Sequence, residues 1–167
     1  MKNDLILGFG KLLMKLQPLT ICIVDDVETY FNEGMLNFAS VHGQITFERW
    51  SKVDKISLKN LVSKPRDIVI LDIKGIVDPA IAKDGFDIAN YLMKNTPSFI
   101  VTTSAHKFKL QNINNYGDYV ITDRLMTPLD FVEELNSIID VYIKMKLKPY
   151  KKLLFRIGFT IAKFKLF

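Results

Sequence analysis

Short apolar runs that end in polar residues recur along the first two thirds of this chain. Residues 67–72 place four apolar residues between two aspartates, and residues 21–26 end in two more aspartates. A third run, residues 99–104, ends in hydroxyl side chains. Apolar runs of this length, rich in β-branched residues, are typical of strands buried on both faces. Ligands bind at the carboxyl edge of open α/β sheets, so the pattern predicts a polar site there.

Longer amphipathic segments alternate with these runs. Strands are predicted at residues 19–24, 44–50, 67–72, 99–103 and 119–122, with the second strand near a sheet edge. Helices are predicted at residues 27–41, 57–63, 85–94 and 107–115, and from residue 128 onward. The alternation predicts an α/β fold: a five-stranded parallel sheet, doubly wound as a flavodoxin-like three-layer sandwich of strand order 2-1-3-4-5.

Local signals suggest where three of these helices begin and what they bury. Ser57 is expected to cap the second helix, and Thr127 the last helix, with Pro128 at its first position. The inner face of the first helix is predicted to hold four apolar side chains: Phe31, Met35, Leu36 and Phe38. A long loop is expected at residues 73–84, before Gly85 opens the third helix.

The two ends of the chain carry further apolar patterns, which predict three regions. Residues 1–18 hold an amphipathic helix over 3–16, residues 19–146 form the α/β domain, and residues 147–167 form a basic amphipathic helix. The helix over 3–16 is too short to span a bilayer, which takes about 20 apolar residues.

Three interpretations of residues 150–167 compete: contact with an anionic membrane surface, packing against residues 3–16, and dimerisation. Packing within the chain or between two copies is favoured, because the terminal stripes would otherwise leave a large apolar patch in water. About 20 residues are too few for a DNA-binding output domain with its own core.

Composition and charge narrow the class of protein. The chain has 167 residues, 49% of them hydrophobic, and one cysteine, so one reduced, cytoplasmic domain with no disulfide is expected. The net charge of +5 conceals an asymmetry, since residues 144–167 hold eight basic and no acidic residues, whereas residues 19–143 hold 12 basic and 17 acidic residues. The acidic body argues against nucleic acid as a partner.

The polar residues at the strand ends, taken in order, resemble those of the response-regulator receiver domain. The resemblance covers residues 19 to about 143 and rests on four features: Asp25-Asp26, Asp72, Ser104-Ala105 and Gly117-Asp118-Tyr119. No single one of these motifs is specific, and the resemblance rests on their ordered occurrence at the ends of the strands.

The resemblance implies a chemistry for each position. Asp72 is the phosphoacceptor, Ser104 hydrogen-bonds the phosphoryl group, and Tyr119 is the switch aromatic that repacks with that hydroxyl. A weakly bound Mg²⁺ is implied as well. Its ligands would be the carboxylates of Asp25 or Asp26 and of Asp72, with the backbone carbonyl of Lys74.

Two positions depart from the family pattern. Thr122 stands where the family has a lysine that neutralises the phosphoryl oxygens, and Asp123 follows it where proline is usual. The loop between Asp72 and Gly85 is also about five residues longer than in the family, and the extra length, within 75–83, suggests a lid or a partner surface.

The function implied is that of a stand-alone, non-enzymatic receiver in a two-component phosphorelay. Its expected partner is a sensor histidine kinase or another signalling protein, with a homodimer through the terminal helices and membrane-surface contact through residues 150–167 as further options. The alternative is a pseudo-receiver that serves as a protein-protein interaction module without phosphorylation, which the residue at position 122 favours.

Overall fold

A computed structural model of the chain describes Gly8 and residues 18–103, 119–121 and 126–147. The strands are β1 (Leu19–Val24), β2 (Ile45–Trp50), β3 (Ile68–Asp72), β4 (Phe99–Thr103) and β5 (Tyr119–Ile121). The helices are α1 (Glu33–Gly43), α2 (Lys55–Ser63), α3 (Gly85–Asn95) and α4 (Pro128–Leu147). Apart from Gly8, the predicted helix at 3–16 lies outside the described residues, as do those at 107–115 and in the C-terminal segment.

All strands run parallel in one sheet with the order β2-β1-β3-β4-β5. The doubly wound α/β class predicted from the sequence is therefore confirmed, and β2 lies at an edge as expected. Strand β3 sits in the centre, and its register pairs Ile70 with Ile23 of β1 and with Val101 of β4. All five residues of β3 are buried, which fits a strand covered on both faces.

Alternate side chains of the central strands enter two different cores. On one face, Val24, Leu71 and Ile100 join a cluster with the inner residues of α2 and α3, among them Leu61 and Leu92. The opposite face carries the other set of buried strand residues: Ile21, Ile23, Ile68, Ile70, Phe99 and Val101. Because strand side chains alternate, a residue's position along its strand decides which core it enters.

The start of α4 belongs to this second face. The Phe131 ring is fully buried, and its centroid lies 5.5 Å from that of Phe31 and 6.3 Å from that of Phe47. The Thr127 hydroxyl accepts a hydrogen bond from the Asp130 N–H at 3.2 Å, so the predicted cap is present. The described residues from Leu19 to Val132 form one compact unit, and those from Glu133 to Leu147 belong to another.

The first helix begins later than predicted and buries a different face. It starts at Glu33, because Asn32 caps it by accepting a hydrogen bond from the Met35 N–H at 3.0 Å. Phe38 was wrongly assigned to the inner face, since 39% of it is exposed while Ala39 is buried. Ala39 follows Met35 by four residues and so shares its side of the helix, whereas Phe38 points away.

The predicted cap of α2 was also wrong. Asp54 is the N-cap residue, and its Oδ1 accepts a hydrogen bond from the Ser57 N–H at 2.7 Å. Ser57 is the third helical residue, and its hydroxyl accepts from the Asp54 N–H at 2.7 Å. These reciprocal bonds form a capping box, and those donated by Ser57 lower the pKa of Asp54.

The long loop after β3 is anchored to the chain that follows β2. The Val53 N–H donates to the Ile76 carbonyl at 2.6 Å, and the Asp78 N–H donates to the Val53 carbonyl at 3.1 Å. Val53 and Ile76 are both fully buried. Of the two roles predicted for this loop, these contacts favour a fixed surface over a moving lid.

Within the described part of the chain, no helix has the length and apolar content needed to cross a membrane.

Candidate metal and phosphoacceptor site

Asp72 ends the central strand at the carboxyl edge of the sheet. Its side chain is buried, with 5% of the residue exposed, and its Oδ1 accepts a hydrogen bond from the Ile73 N–H at 2.6 Å. Strand β3 lies between β1 and β4, so Asp72 stands in the middle of that edge. The bond from Ile73 fixes the orientation of the carboxylate.

Two more carboxylates reach the same edge from the loop after β1. Asp25 is fully buried, and its Oδ1 accepts from the Val27 N–H at 2.9 Å, which turns the chain just after the strand. Asp26, next to it, is exposed. One carboxylate oxygen from each of Asp25, Asp26 and Asp72 lies within 4.8 Å of the others.

This arrangement fits a hard divalent cation. Three carboxylates so close together repel one another, and the burial of two of them weakens the screening by water. A cation between them relieves the repulsion, and carboxylate oxygens are the ligands that Mg²⁺ prefers. The acidic cluster predicted from the strand ends is therefore present as a candidate metal site.

Gly75 lets the loop after β3 pass close to Asp26. Its φ angle is +79°, and a β-carbon at this position would lie 2.1 Å from Oδ2 of Asp26. Only a residue without a side chain fits both the backbone conformation and the approach of the carboxylate. Lys74, the predicted carbonyl ligand, lies between Asp72 and Gly75 in this loop, and its role remains a prediction.

Gly85 brings the first turn of α3 against the end of β3. A β-carbon there would lie 2.1 Å from the Asp72 carbonyl oxygen, and the Gly85 N–H donates to the Ile73 carbonyl at 2.9 Å. The long loop therefore returns to the strand end it left, and glycine is needed for that close approach.

Thr103 is a hydroxyl residue at the site that the sequence analysis did not single out. It pairs in register with Asp72, so both side chains lie on the same face of the sheet. Thr103 is fully buried, and its Oγ1 has no hydrogen-bond partner among the residues that the structure describes. The sequence signal for Thr103 is the alternation of strand side chains. As the last residue of β4, Thr103 lies on the same face of the sheet as Asp72.

Arg49 is a second residue that the sequence analysis missed. It is the penultimate residue of β2, and its Nη2 donates to the carbonyl oxygens of Val27 at 3.1 Å and Asp25 at 3.5 Å. A cation therefore lies beside the loop that carries two of the three acids. A lone arginine in an edge strand gives no sequence signal for such a contact.

The structure describes the remaining predicted site residues only in part. Ser104 lies outside the described residues, as do Thr122 and Asp123. Tyr119 is the first residue of β5, and the structure describes its backbone alone. Their roles stay predictions.

Several of the solved structures that this chain resembles are receiver domains of response regulators. One is the response regulator domain of Thermotoga maritima CheB, with a TM-score of 0.58 and 14% identity over 77% of this chain and 98% of that one. Another is the response regulatory domain of mrkE from Klebsiella pneumoniae, with a TM-score of 0.58 and 17% identity over 74% and 98%.

A third is the receiver domain of the putative response regulator NarL from Mycobacterium tuberculosis, with a TM-score of 0.53 and 18% identity over 73% of this chain and 96% of that one. No protein-family model and no curated protein matches the sequence. At these identities the likeness establishes the fold: the chain has the fold of a response-regulator receiver domain.

Proposed function

We propose that this chain is a receiver module of two-component signal transduction that accepts a phosphoryl group on Asp72. The observation that carries the proposal is the cluster of Asp25, Asp26 and Asp72 at the carboxyl edge of a receiver-type sheet. The likeness to solved receiver domains supports it at the level of the fold.

The reaction needs little from the protein beyond placement and charge. A carboxylate oxygen of Asp72 attacks the phosphorus atom, a new O–P bond forms, and the bond to the leaving group breaks with its electron pair. A carboxylate nucleophile carries no proton to be removed, so the step needs no general base. A bound Mg²⁺ would supply the positive charge that a carboxylate needs to approach a phosphoryl group, with Asp25, Asp26 and Asp72 as its protein ligands.

The hydroxyl that hydrogen-bonds the phosphoryl group has two candidates. The resemblance assigns this role to Ser104, whereas the register with Asp72 and the unpartnered Oγ1 support Thr103. Matched variants separate them: Thr103→Val keeps the shape of its side chain, and Ser104→Ala removes only an oxygen. The variant that slows phosphorylation of Asp72 more identifies the residue.

The pseudo-receiver is the second candidate, and Thr122 at the family's lysine position is the observation that favours it. In that case the acidic edge binds a cation or a protein partner without group transfer. The chain then acts through its surfaces alone, as a non-enzymatic interaction module.

The deciding experiment is incubation with acetyl phosphate and magnesium, followed by intact mass spectrometry. The proposal predicts the gain of one phosphoryl group, lost in Asp72→Asn and retained in a matched control variant, Asp67→Asn, directly before the same strand. A modification that persists in Asp72→Asn would refute the assignment. No modification, together with no response to beryllium fluoride, would favour the pseudo-receiver.

The partners proposed are a sensor histidine kinase or another signalling protein, and a second copy of this chain through residues 3–16 and 150–167. Both terminal segments carry apolar stripes that the α/β core does not require. Light scattering of the full chain and of a 19–148 truncation tests the second partner. A dimer that becomes a monomer on truncation supports it. A monomeric full chain that floats with anionic liposomes, and no longer floats once truncated, supports membrane contact instead.

A further inference from the structure

Arg49 connects the edge strand of the sheet to the loop that bears two of the clustered acids. In the β1–β2 register Arg49 pairs with Ile23, two residues before Asp25. Side chains two residues apart point to the same face of a sheet, so Arg49 and Asp25 emerge on one side. The guanidinium is therefore placed to reach over the loop that follows β1.

The contacts of Arg49 lie on both sides of Asp26 along the backbone. Its Nη2 donates to the carbonyl of Asp25, before Asp26, and to the carbonyl of Val27, after it. Within the same tripeptide the Val27 N–H donates to Oδ1 of Asp25. Nη2 of Arg49 thus bridges two carbonyls, and the Val27–Asp25 bond lies within the same tripeptide. Together these bonds restrain the backbone on both sides of Asp26.

Placing the Arg49 side chain here carries an energetic cost. The Nε of Arg49 is buried and has no hydrogen-bond partner among the described residues. An unsatisfied buried donor is unfavourable, so the two bonds to the loop must offset it. Lysine is no equivalent, because its ammonium is a point charge on a flexible stem and lacks the planar donor fork of a guanidinium.

We propose that Arg49 is a positioning residue for the acidic cluster: it holds the β1–α1 loop so that the carboxylates of Asp25 and Asp26 meet that of Asp72 around a divalent cation. The inference rests on the proposed metal site and adds to it a residue that contacts neither the cation nor a phosphoryl group. Positioning and simple electrostatics predict opposite outcomes. Removing a positive charge near three carboxylates strengthens cation binding by Coulomb's law, whereas releasing the loop weakens it.

The test is the Mg²⁺ and Mn²⁺ affinity of four proteins: the native chain, Arg49→Lys, Arg49→Met and Arg66→Met. Arg66 is the matched control, because its partners are the two neighbours of Arg49 in β2: it pairs with Glu48 at 2.7 Å and lies 5.6 Å from the centre of the Trp50 ring. We expect both Arg49 variants to bind the cation about tenfold more weakly, the lower end of the loss for a residue that orients metal ligands. We expect Arg66→Met to bind as the native chain does.

Tighter binding by Arg49→Met with unchanged binding by Arg49→Lys would overturn the proposal, because it would mean that Arg49 acts through its charge alone. Unchanged affinity in both variants would overturn it as well.

Amide hydrogen exchange without metal separates failure of this inference from failure of the metal site. We expect the amides of residues 25–31 to exchange faster in Arg49→Lys than in the native chain, and those of β3 to be unaffected. If the native chain binds no divalent cation, the proposed metal site fails, and faster exchange in the loop still supports the restraint by Arg49. Equal exchange in the two proteins refutes it.

Discussion

An aspartate stands at each end of strand β3, Asp67 directly before it and Asp72 as its last residue, and the two have opposite surroundings. At the amino end, Asp67 Oδ2 accepts hydrogen bonds from the backbone N–H and the hydroxyl of Thr20, both at 2.9 Å. At the carboxyl end, Asp72 faces two other carboxylates. One acid ties two strands together, and the other takes part in a cluster of like charge.

The contrast separates a residue that stabilises the fold from residues that form the candidate site. Donors supplied by the protein stabilise Asp67, and its neighbour Arg66 forms an ion pair with Glu48 at the same end. The cluster at Asp72 retains a repulsion that a bound cation would relieve. The hydrogen bonds of Asp67 serve the fold, whereas the clustering of like charges around Asp72 marks the candidate site.

The largest expected effect comes from neutralising each aspartate in turn, without magnesium. Asp67→Asn should lower the free energy of unfolding by about 2 kcal/mol, because the two hydrogen bonds from Thr20 each lose the charge of their acceptor. Asp72→Asn should leave it unchanged or raise it, because one of three repelling charges disappears while Oδ1 can still accept from Ile73. Urea unfolding of the two variants measures this, and equal destabilisation would contradict the comparison.

A smaller effect is expected where the loop after β3 meets Asp26. Gly75→Ala should destabilise the protein by about 1–2 kcal/mol, since alanine is strained at a positive φ angle. It should also weaken magnesium binding, because its β-carbon displaces the Asp26 carboxylate. The control is Gly34→Ala in α1, whose β-carbon would meet nothing closer than 3.3 Å. If Gly75→Ala bound magnesium as the native chain does, Asp26 would not be a ligand.

Much of this comparison was predictable from the sequence, because the apolar runs placed the central strands and parallel topology brought their ends together. Asp25, Asp26 and Asp72 were found in this way. Thr103 was not, because the motif of the family drew attention to Ser104, whereas strand alternation selects the residue that faces Asp72. Arg49 was not either, because its contacts join positions far apart in the chain and depend on β-sheet register.

The predicted starts of the first two helices were wrong for a local reason. Several residues able to cap a helix follow one another in each loop, and tertiary contacts decide which one does so. Asn32 caps α1 although two aspartates precede it, because Asp25 instead bonds the Val27 N–H. Asp54 caps α2 because Ser57 returns the bond from within the helix.

The smallest effect concerns Cys22, in the middle of β1. Cys22 is fully buried, and this burial raises the pKa of its thiol to about 12. A thiol reagent at pH 8 should not react until the protein is unfolded. The raised pKa contributes stability that is complete below the ordinary value of 9.0 and is lost as the pH rises towards 12. Rapid reaction of the folded protein would show that β1 opens.

The most direct test of the acidic cluster is the melting temperature as a function of magnesium concentration in three proteins: the native chain, Asp67→Asn and Asp72→Asn. A ligand that binds only the folded state raises the melting temperature as its concentration increases. We predict that magnesium raises it for the native chain, raises it equally for Asp67→Asn from a lower starting value, and leaves Asp72→Asn nearly unchanged. An equal rise in all three proteins, or none in the native chain, would contradict a metal site at Asp25, Asp26 and Asp72.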